Sequence, residues 1–256
     1  KDLTGAVATI NQNTIKDLPV STVDQKMIGQ VAGMQIQQLS GQPGAGTSVR
    51  IRGSGSLGAG NEPLYVIDGM PYSAGLNQDF NPLLLINPND IESISVLKDA
   101  SSTSIYGSRA ANGVIFITSK KGKLNSSKIT VQSQYGVSSL VKPTLNLFNS
   151  FMTTKQLTDF WIETGYRTQA QVTSLLAAYN ADTKWYKQYY KDNIPMKQLD
   201  LNMSGGGGKT TYYVSGSAFK QEGLTYRSDF ERYTMRANLN TSVNNWFKMG
   251  MNLSGG

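Results

Sequence analysis

The chain has 256 residues, 39% of them hydrophobic and 16% charged, which is room for one large domain or two small ones and too apolar for disorder throughout. Cysteine and histidine are both absent, so disulfides, thiolate and imidazole catalysis and the usual zinc ligand sets are excluded. The net charge is +7, divided as ten basic and nine acidic groups in residues 1–123 against fourteen and eight in the remainder, with no basic arm of the kind that grips nucleic acid.

Residues 1–123 read as a compact α+β module of short mixed strands. Leu18-Pro19-Val20 leads into a short helix, with Ser21 as its cap, Asp24 as the reciprocal acidic group and Gly33 as its end. Met34–Leu39 alternates as a strand. Gly41–Gly46 is a turn, and Val49–Arg52 alternates again, which places Arg50 and Arg52 on one face. Leu64–Ile67 is a more buried strand that stops at the Asp68-Gly69 turn. Residues 70–89 form a long connection with Pro71, Pro82 and Pro88, followed by a helical turn at Asp90-Ile91-Glu92 and a strand over Ser93–Leu97. Asp99 is placed to cap a helix through Tyr106 that Gly107 ends. Val114–Thr118 is a strongly β run that finishes in Lys120-Lys121-Gly122.

The spacing changes after residue 123. Ile129, Val131 and Tyr135 alternate with polar residues, residues 144–195 look partly helical and aromatic, and four alternating runs follow. Leu199, Leu201 and Met203 oppose Asp200 and Asn202. Tyr212 and Val214 oppose Tyr213 and Ser215, Tyr233 and Met235 oppose Arg232, Arg236 and Asn238, and Met249, Met251 and Leu253 complete the series. The connections alternate between short (205–209, 244–245) and longer (220–229), with Tyr212, Phe219, Phe230, Tyr233 and Phe247 near strand ends as an interfacial girdle requires. Two structures share this pattern: a transmembrane barrel whose wet lumen receives Arg232, Arg236 and Asn238, and a soluble antiparallel meander with one buried face. Five such runs are too few to close a barrel, so the barrel reading requires more strands than these residues hold.

Several motifs carry no chemistry. Gly53–Gly58 matches GxGxxG, but the breaker run Ala59–Pro63 follows where a phosphate-binding helix should start. Gly208-Lys209-Thr210 ends like a P-loop, yet Met203 stands where its first glycine belongs and the run joins two strands. Asp90 with Glu92 and Asp229 with Glu231 read as solvated pairs. No catalytic, cofactor-binding or metal-ligating residues are assigned, and no enzyme activity is expected.

The residues of the first module closely resemble the plug domain of SusC/RagA-type TonB-dependent outer-membrane transporters of Bacteroidota. The resemblance rests on Leu3–Val7, Ile28–Met34, Ser40–Gly44, Val49–Gly53, Pro63–Pro71 and Asn87–Ser101, running on through Ser104–Ile115. Residues 215–223 and Arg232–Leu239 resemble the family's first barrel strands. The resemblance implies a fold in which an α+β plug domain, residues 1–123, precedes the first antiparallel strands of an incomplete transmembrane β-barrel, residues 124–256. The complete barrel of this family has 22 strands. Ile129–Val137 then rises from the periplasm, residues 138–197 form a long extracellular excursion, and residues 205–209 form a periplasmic turn. The remaining strands, a further amino-terminal domain and the TonB-contact segment are expected in a longer chain.

The resemblance also implies a function: TonB-dependent import of a nutrient, most simply an oligosaccharide, across the outer membrane. The implied partners are a SusD-like surface lipoprotein, TonB with ExbB/ExbD, and outer-membrane lipid, with no cofactor and no nucleic acid. A peptide importer of the same family, a plugged-barrel signalling receptor and a soluble β-rich binding module are the alternatives. For substrate contact the candidates are Asn77, Gln78, Asp79, Phe80 and Asn81, amides beside an aromatic on the long connection. Arg50, Arg52, Gly53, Asp68, Gly69, Asp99, Tyr106, Gly107, Asn112 and Gly113 are assigned to the plug's architecture, the two arginines as partners for luminal carboxylates. Tyr186, Tyr189 and Tyr190 either line the extracellular side or form the core of a folded loop.

Overall fold

The computed structural model describes residues 7–15, 20, 22–53, 61–72, 82–99, 104–179 and 183–256. The first module is built on a five-stranded sheet in the order β1-β6-β7-β4-β5, from Val7–Asn11 (β1), Leu64–Ile67 (β4), Met70–Tyr72 (β5), Ile91–Leu97 (β6) and Val114–Ser119 (β7). β4 and β7 pair in parallel, and the other pairs are antiparallel. All four residues of β4 are buried, as expected for an apolar run at the parallel pair. Met34–Gln38 (β2) and Thr47–Ile51 (β3) form a separate antiparallel ribbon.

Two short helices, Gln12–Ile15 (α1) and Val23–Met27 (α2), accompany these strands. Val23 and Met27 of α2 pack with Val49, Leu83, Ile91, Ile94, Ile115 and Ile117 into one core, while Leu64, Val66, Ala110 and Val114 form a smaller cluster. Thr22 holds the N-cap position of α2 without a side-chain cap bond. The proposed cap, Ser21, lies outside the described residues. The helical turn expected at Asp90–Glu92 is a 3₁₀ turn over Pro88–Asp90, and β6 begins two residues early, at Ile91. Proline at the first position of that turn suits it, because the amide it lacks would have no partner there.

The second sheet follows sequence order, β8 to β12: Ser126–Ser138, Ile194–Gly207, Thr210–Gln221, Phe230–Ser242 and Lys248–Gly255. β9 to β12 pair antiparallel with unbroken registers. Gly208, at φ 59°, turns the chain tightly between β9 and β10, which disposes of the P-loop resemblance at Gly208-Lys209-Thr210. The two faces differ sharply. Leu199, Leu201, Val214, Tyr233, Met235, Met251 and Leu253 are exposed on one, whereas Asp200, Tyr213, Ser215, Arg232, Arg236 and Asn238 are buried on the other.

Residues 137–194 and 223–228 make a second compact unit. It contains Lys142–Asn149 (α3), Thr154–Glu163 (α4), Gln169–Ala178 (α5) and Tyr186–Tyr189 (α6). Thr153 with Gln156, and Thr168 with Gln171, close reciprocal capping boxes at the starts of α4 and α5. Phe148 stacks on Tyr186 and Tyr190, with ring centres 4.9 and 5.3 Å apart, while Tyr189 stays exposed.

Candidate functional site

The buried face of the second sheet is covered by the first module, and polar groups make the contact. Asp68 ends β4 in a left-handed turn at φ 49° and is followed by Gly69 at φ 89°. This turn aims its carboxylate across the seam. Oδ2 accepts from Arg236 Nη1 at 2.8 Å and from the Ser119 hydroxyl at 2.7 Å, and Oδ1 accepts from the Ser119 amide at 2.8 Å. Both charged side chains are under a tenth exposed. Asn238, two residues along β11, donates from Nδ2 to Ser119 Oγ and to the Lys120 carbonyl. A buried ion pair holds only when hydrogen bonds satisfy its remaining lone pairs and protons, and Ser119 supplies two of them.

The second group of contacts comes from Asn87-Pro88-Asn89-Asp90. Asn87 caps the 3₁₀ turn through Oδ1, which accepts from the Asn89 amide at 3.0 Å. That leaves the Nδ2 groups of Asn87 and Asn89 to donate to Asp200 of β9, each at 2.7 Å. Gln198 donates to the same carboxylate at 2.8 Å. Asp90, one residue on, accepts from the Tyr213 and Ser215 hydroxyls of β10, each at 2.8 Å. Burial pushes the Asp90 carboxyl up from its ordinary value, and these two hydrogen bonds oppose that shift. One four-residue turn therefore ties the module to two adjacent strands.

Toward the long-loop end of β10 and β11 the seam is less complete. Arg232 is 6% exposed, and none of its three guanidinium nitrogens has a hydrogen-bond partner among the described residues. Its charge lies 5.5 Å above the Phe219 ring. Phe219 and Phe230 also face the module, and a side chain at Gly44, which stands at φ 71°, would collide with the Phe230 ring. These two aromatics do not belong to an outer girdle. The luminal residues Arg232, Arg236 and Asn238 are likewise not wet, because the module covers them. Asp90 is no solvated pair with Glu92 but a buried acceptor.

The residues assigned to architecture fall in several places. Arg50 is exposed on β3 opposite Gln35. Arg52 does not share its face. It leaves the strand at φ 61° with Gly53 at φ 91°, and it pairs with Asp99 of its own module at 2.5 Å. Across the seam the arginine that meets a carboxylate is Arg236 of the second sheet, and its partner is Asp68 of the first module. Asp99 thus serves an ion pair, and residues 100–103 of the helix it was to cap lie outside the described residues. Tyr106 packs on the smaller core cluster in a 3₁₀ segment, Ser104–Ala110, that is broken by a kink at Gly107 (φ 63°, ψ −151°), where the sequence places the end of a helical stretch. Asn112 donates to the Glu62 carbonyl at 3.3 Å. Gly113 is at φ 93°, where a side chain would press on Ile51 and the Leu97 carbonyl. Asn77–Asn81 lie outside the described residues, as does most of the Gly53–Gly58 run.

Gly122 is where the module passes into the second sheet. A Cβ there would strike the backbone of Gly205 and Tyr212, so the connection lies directly against the β9–β10 hairpin. Among the described residues, no three His, Cys, Asp or Glu side chains are grouped to hold a metal. No described helix is long and apolar enough to cross a membrane, and the apolar outer face belongs to strands.

Residues 1–114 match the family model of the TonB-dependent receptor plug domain. A TonB-dependent receptor of Formosa agariphila is 35% identical over 254 residues, covering 99% of this chain and 25% of that protein. The TonB-dependent receptor SusC of Bacteroides thetaiotaomicron is 34% identical over 93% of this chain and 23% of its own length. Among solved structures, the RagAB peptide transporter superposes with a TM-score of 0.85 at 39% identity, covering 99% of this chain and 30% of that one. The chain therefore spans about a quarter of the curated relatives it matches.

Proposed function

Because the chain belongs to the SusC/RagA-type TonB-dependent receptors, we propose that it is the plug and opening wall of an importer in the bacterial outer membrane. Residues 1–123 act as the plug, residues 124–256 begin the β-barrel, and residues 138–197 stand on the extracellular side. The observation that carries this reading is the two-faced second sheet. Its outer face presents apolar side chains suited to lipid, while its inner face holds the plug through Asp68–Arg236, Asn87/Asn89–Asp200 and Asp90–Tyr213. Such a seam closes the lumen but can be parted, because it consists of discrete polar contacts rather than a continuous apolar core.

Opening it takes work, and the outer membrane has no ATP. TonB, driven by ExbB/ExbD, supplies that work by pulling on a segment before the plug, and a SusD-like lipoprotein presents the solute from outside. The solute is a peptide in preference to an oligosaccharide. Three solved structures at 38–39% identity are those of a peptide importer or transporter, and they favour the peptide alternative. Asn77, Gln78, Asp79, Phe80 and Asn81 are its contact loop.

The test is uptake by cells carrying the full-length transporter with its lipoprotein. Labelled oligopeptides should enter, and deletion of TonB should abolish entry. Entry of oligosaccharides but not peptides would reverse the choice of solute. Entry of neither would overturn the import reading.

A further inference from the structure

Half-buried Lys120 and exposed Lys121 and Lys123 form a basic run at the end of the plug. The fold brings Lys128 of β8 to the same place, and the four lysines line a cleft of about 450 Å³ between the plug and the wall. Among the described residues of that lining, Glu92 is the one carboxylate. On β8, Ile129 and Val131 are exposed on the outer face, so Lys128, Thr130 and Gln132 occupy the inner one, toward the plug. The cleft lies near the β9–β10 hairpin, since Lys123 and Ser126 approach Gly206 and Gly205 through their carbonyls.

The four lysines are not equivalent. Lys120 is anchored: its Nζ donates to the Asn89 carbonyl at 2.6 Å. Burial holds its pKa below the ordinary lysine value, and the nearby Lys128 charge pushes the same way. Asp90 and Asp200 also act on Lys120, but their carboxylates are engaged by Tyr213 and Ser215 and by Asn87, Asn89 and Gln198. Among the described residues Lys121, Lys123 and Lys128 have no ion-pair partner. Lys121, Lys123 and Lys128, all exposed, thus border a space that also offers the hydroxyls and amides of Ser126, Gln132, Asn202 and Ser204. Like charges gathered in this way repel one another, and an anion entering the space relieves the repulsion.

We propose that this cleft is a subsite for a carboxylate carried by the transported solute, used as the solute passes between plug and wall. The inference rests on the import reading above. Lysine suits a transit site. Its ammonium is a rotatable point charge, which engages a moving carboxylate without the fixed two-pronged geometry by which arginine holds one. The neutral amides and hydroxyls beside it can take the rest of a peptide or sugar backbone.

The test uses the full-length transporter with its lipoprotein and compares the triple variant Lys121→Gln/Lys123→Gln/Lys128→Gln with the unmodified protein. Lys120 is left in place because it holds the Asn89 turn. The solutes are a glutamate-rich peptide, a neutral peptide of equal length and an oligouronate. Uptake of acidic solutes should fall about tenfold in the variant, with the neutral peptide unaffected, as expected when three partly exposed charges are removed together. The corresponding triple arginine variant keeps the charges and should recover part of the acidic uptake that the glutamine variant loses, short of the unmodified protein. Whether the peptide or the uronate responds identifies the source of the carboxylate. Equal loss for acidic and neutral solutes would mean the lysines serve only the fold and would overturn the proposal, as would unchanged acidic uptake. If the unmodified transporter imports none of the three, the import reading itself fails.

Discussion

Asp68 and Arg236, 168 positions apart in the chain, meet at 2.8 Å in a seam where neither side chain is more than a tenth exposed. One stands at a left-handed turn of the plug and the other in mid-strand on the barrel wall, so the bond joins the two modules directly. Removing one partner of such a pair leaves an uncompensated buried charge. Arg236→Met should loosen the plug by about 3–5 kcal/mol, and Asp68→Asn in the same chain should recover much of the loss. Native-state proteolysis of the plug in the full-length protein measures both. A loss in the double variant equal to the sum of the losses in the two single variants would show that the two residues are not coupled.

Asn89→Ala removes one of the amide donors to Asp200 while leaving the Asn87 cap and the Asn87–Asp200 bond in place. Hydrogen bonds to a charged acceptor contribute about 1.5–3 kcal/mol, so the same proteolysis assay should show a plug released more easily by about that amount. Asn87→Ala should cost more, because the turn loses its cap as well.

Asp90 gives a pH signature. Its folded carboxyl pKa is raised by burial, so between the ordinary aspartate range and the folded value the folded protein binds more protons than the unfolded one. Stability from this group therefore rises as pH falls through that window and is lost as pH rises through the folded value. Asp90→Asn, which cannot ionise, should flatten this part of the stability profile. A profile identical to that of the unmodified protein would show that Asp90 does not titrate in the window.

Arg232 predicts a stabilising substitution. A buried guanidinium without hydrogen bonds among the described residues carries its desolvation cost uncompensated by them, and replacing buried charge with an apolar side chain of similar volume is often stabilising by about 1–4 kcal/mol. Arg232→Met should make the plug more resistant to proteolysis. A drop in resistance would mean that solvent or another segment satisfies the guanidinium in the complete barrel.

Gly122→Ala should do the opposite. The new methyl would meet backbone atoms of Gly205 and Tyr212, which cannot rotate away as a side chain could. Overpacking of this kind costs about 1–3 kcal/mol, and the yield of folded transporter in outer-membrane fractions should fall.

Much of the secondary structure was legible in local pattern. Leu64–Ile67 is a continuous apolar run and became the fully buried β4. The alternation at 199–203, 212–218 and 232–239 marked the two faces of the second sheet correctly. The candidate site was less legible. Asp90 looked like half of a surface pair because a two-residue spacing says nothing of what lies opposite. The Asn87-Pro88-Asn89 capping signal was present, and reading it as a capped 3₁₀ turn would have shown a rigid platform for Asp90. Arg52 was misplaced because its positive φ breaks the alternation that put it beside Arg50, and a following glycine was the only local hint.

Composition and neighbours within a few positions were enough to establish which residues form strands, which faces are apolar, that thiol and imidazole chemistry are absent, and which family the chain resembles. What the polar face meets is a different kind of property. The same alternation fits a wet lumen or a buried seam, and the choice depends on whether another module covers the sheet. The plug partners of Arg236, Asp200 and Tyr213 lie more than a hundred residues earlier, at ends of strands and turns, and only the folding of the plug against the wall brings them together.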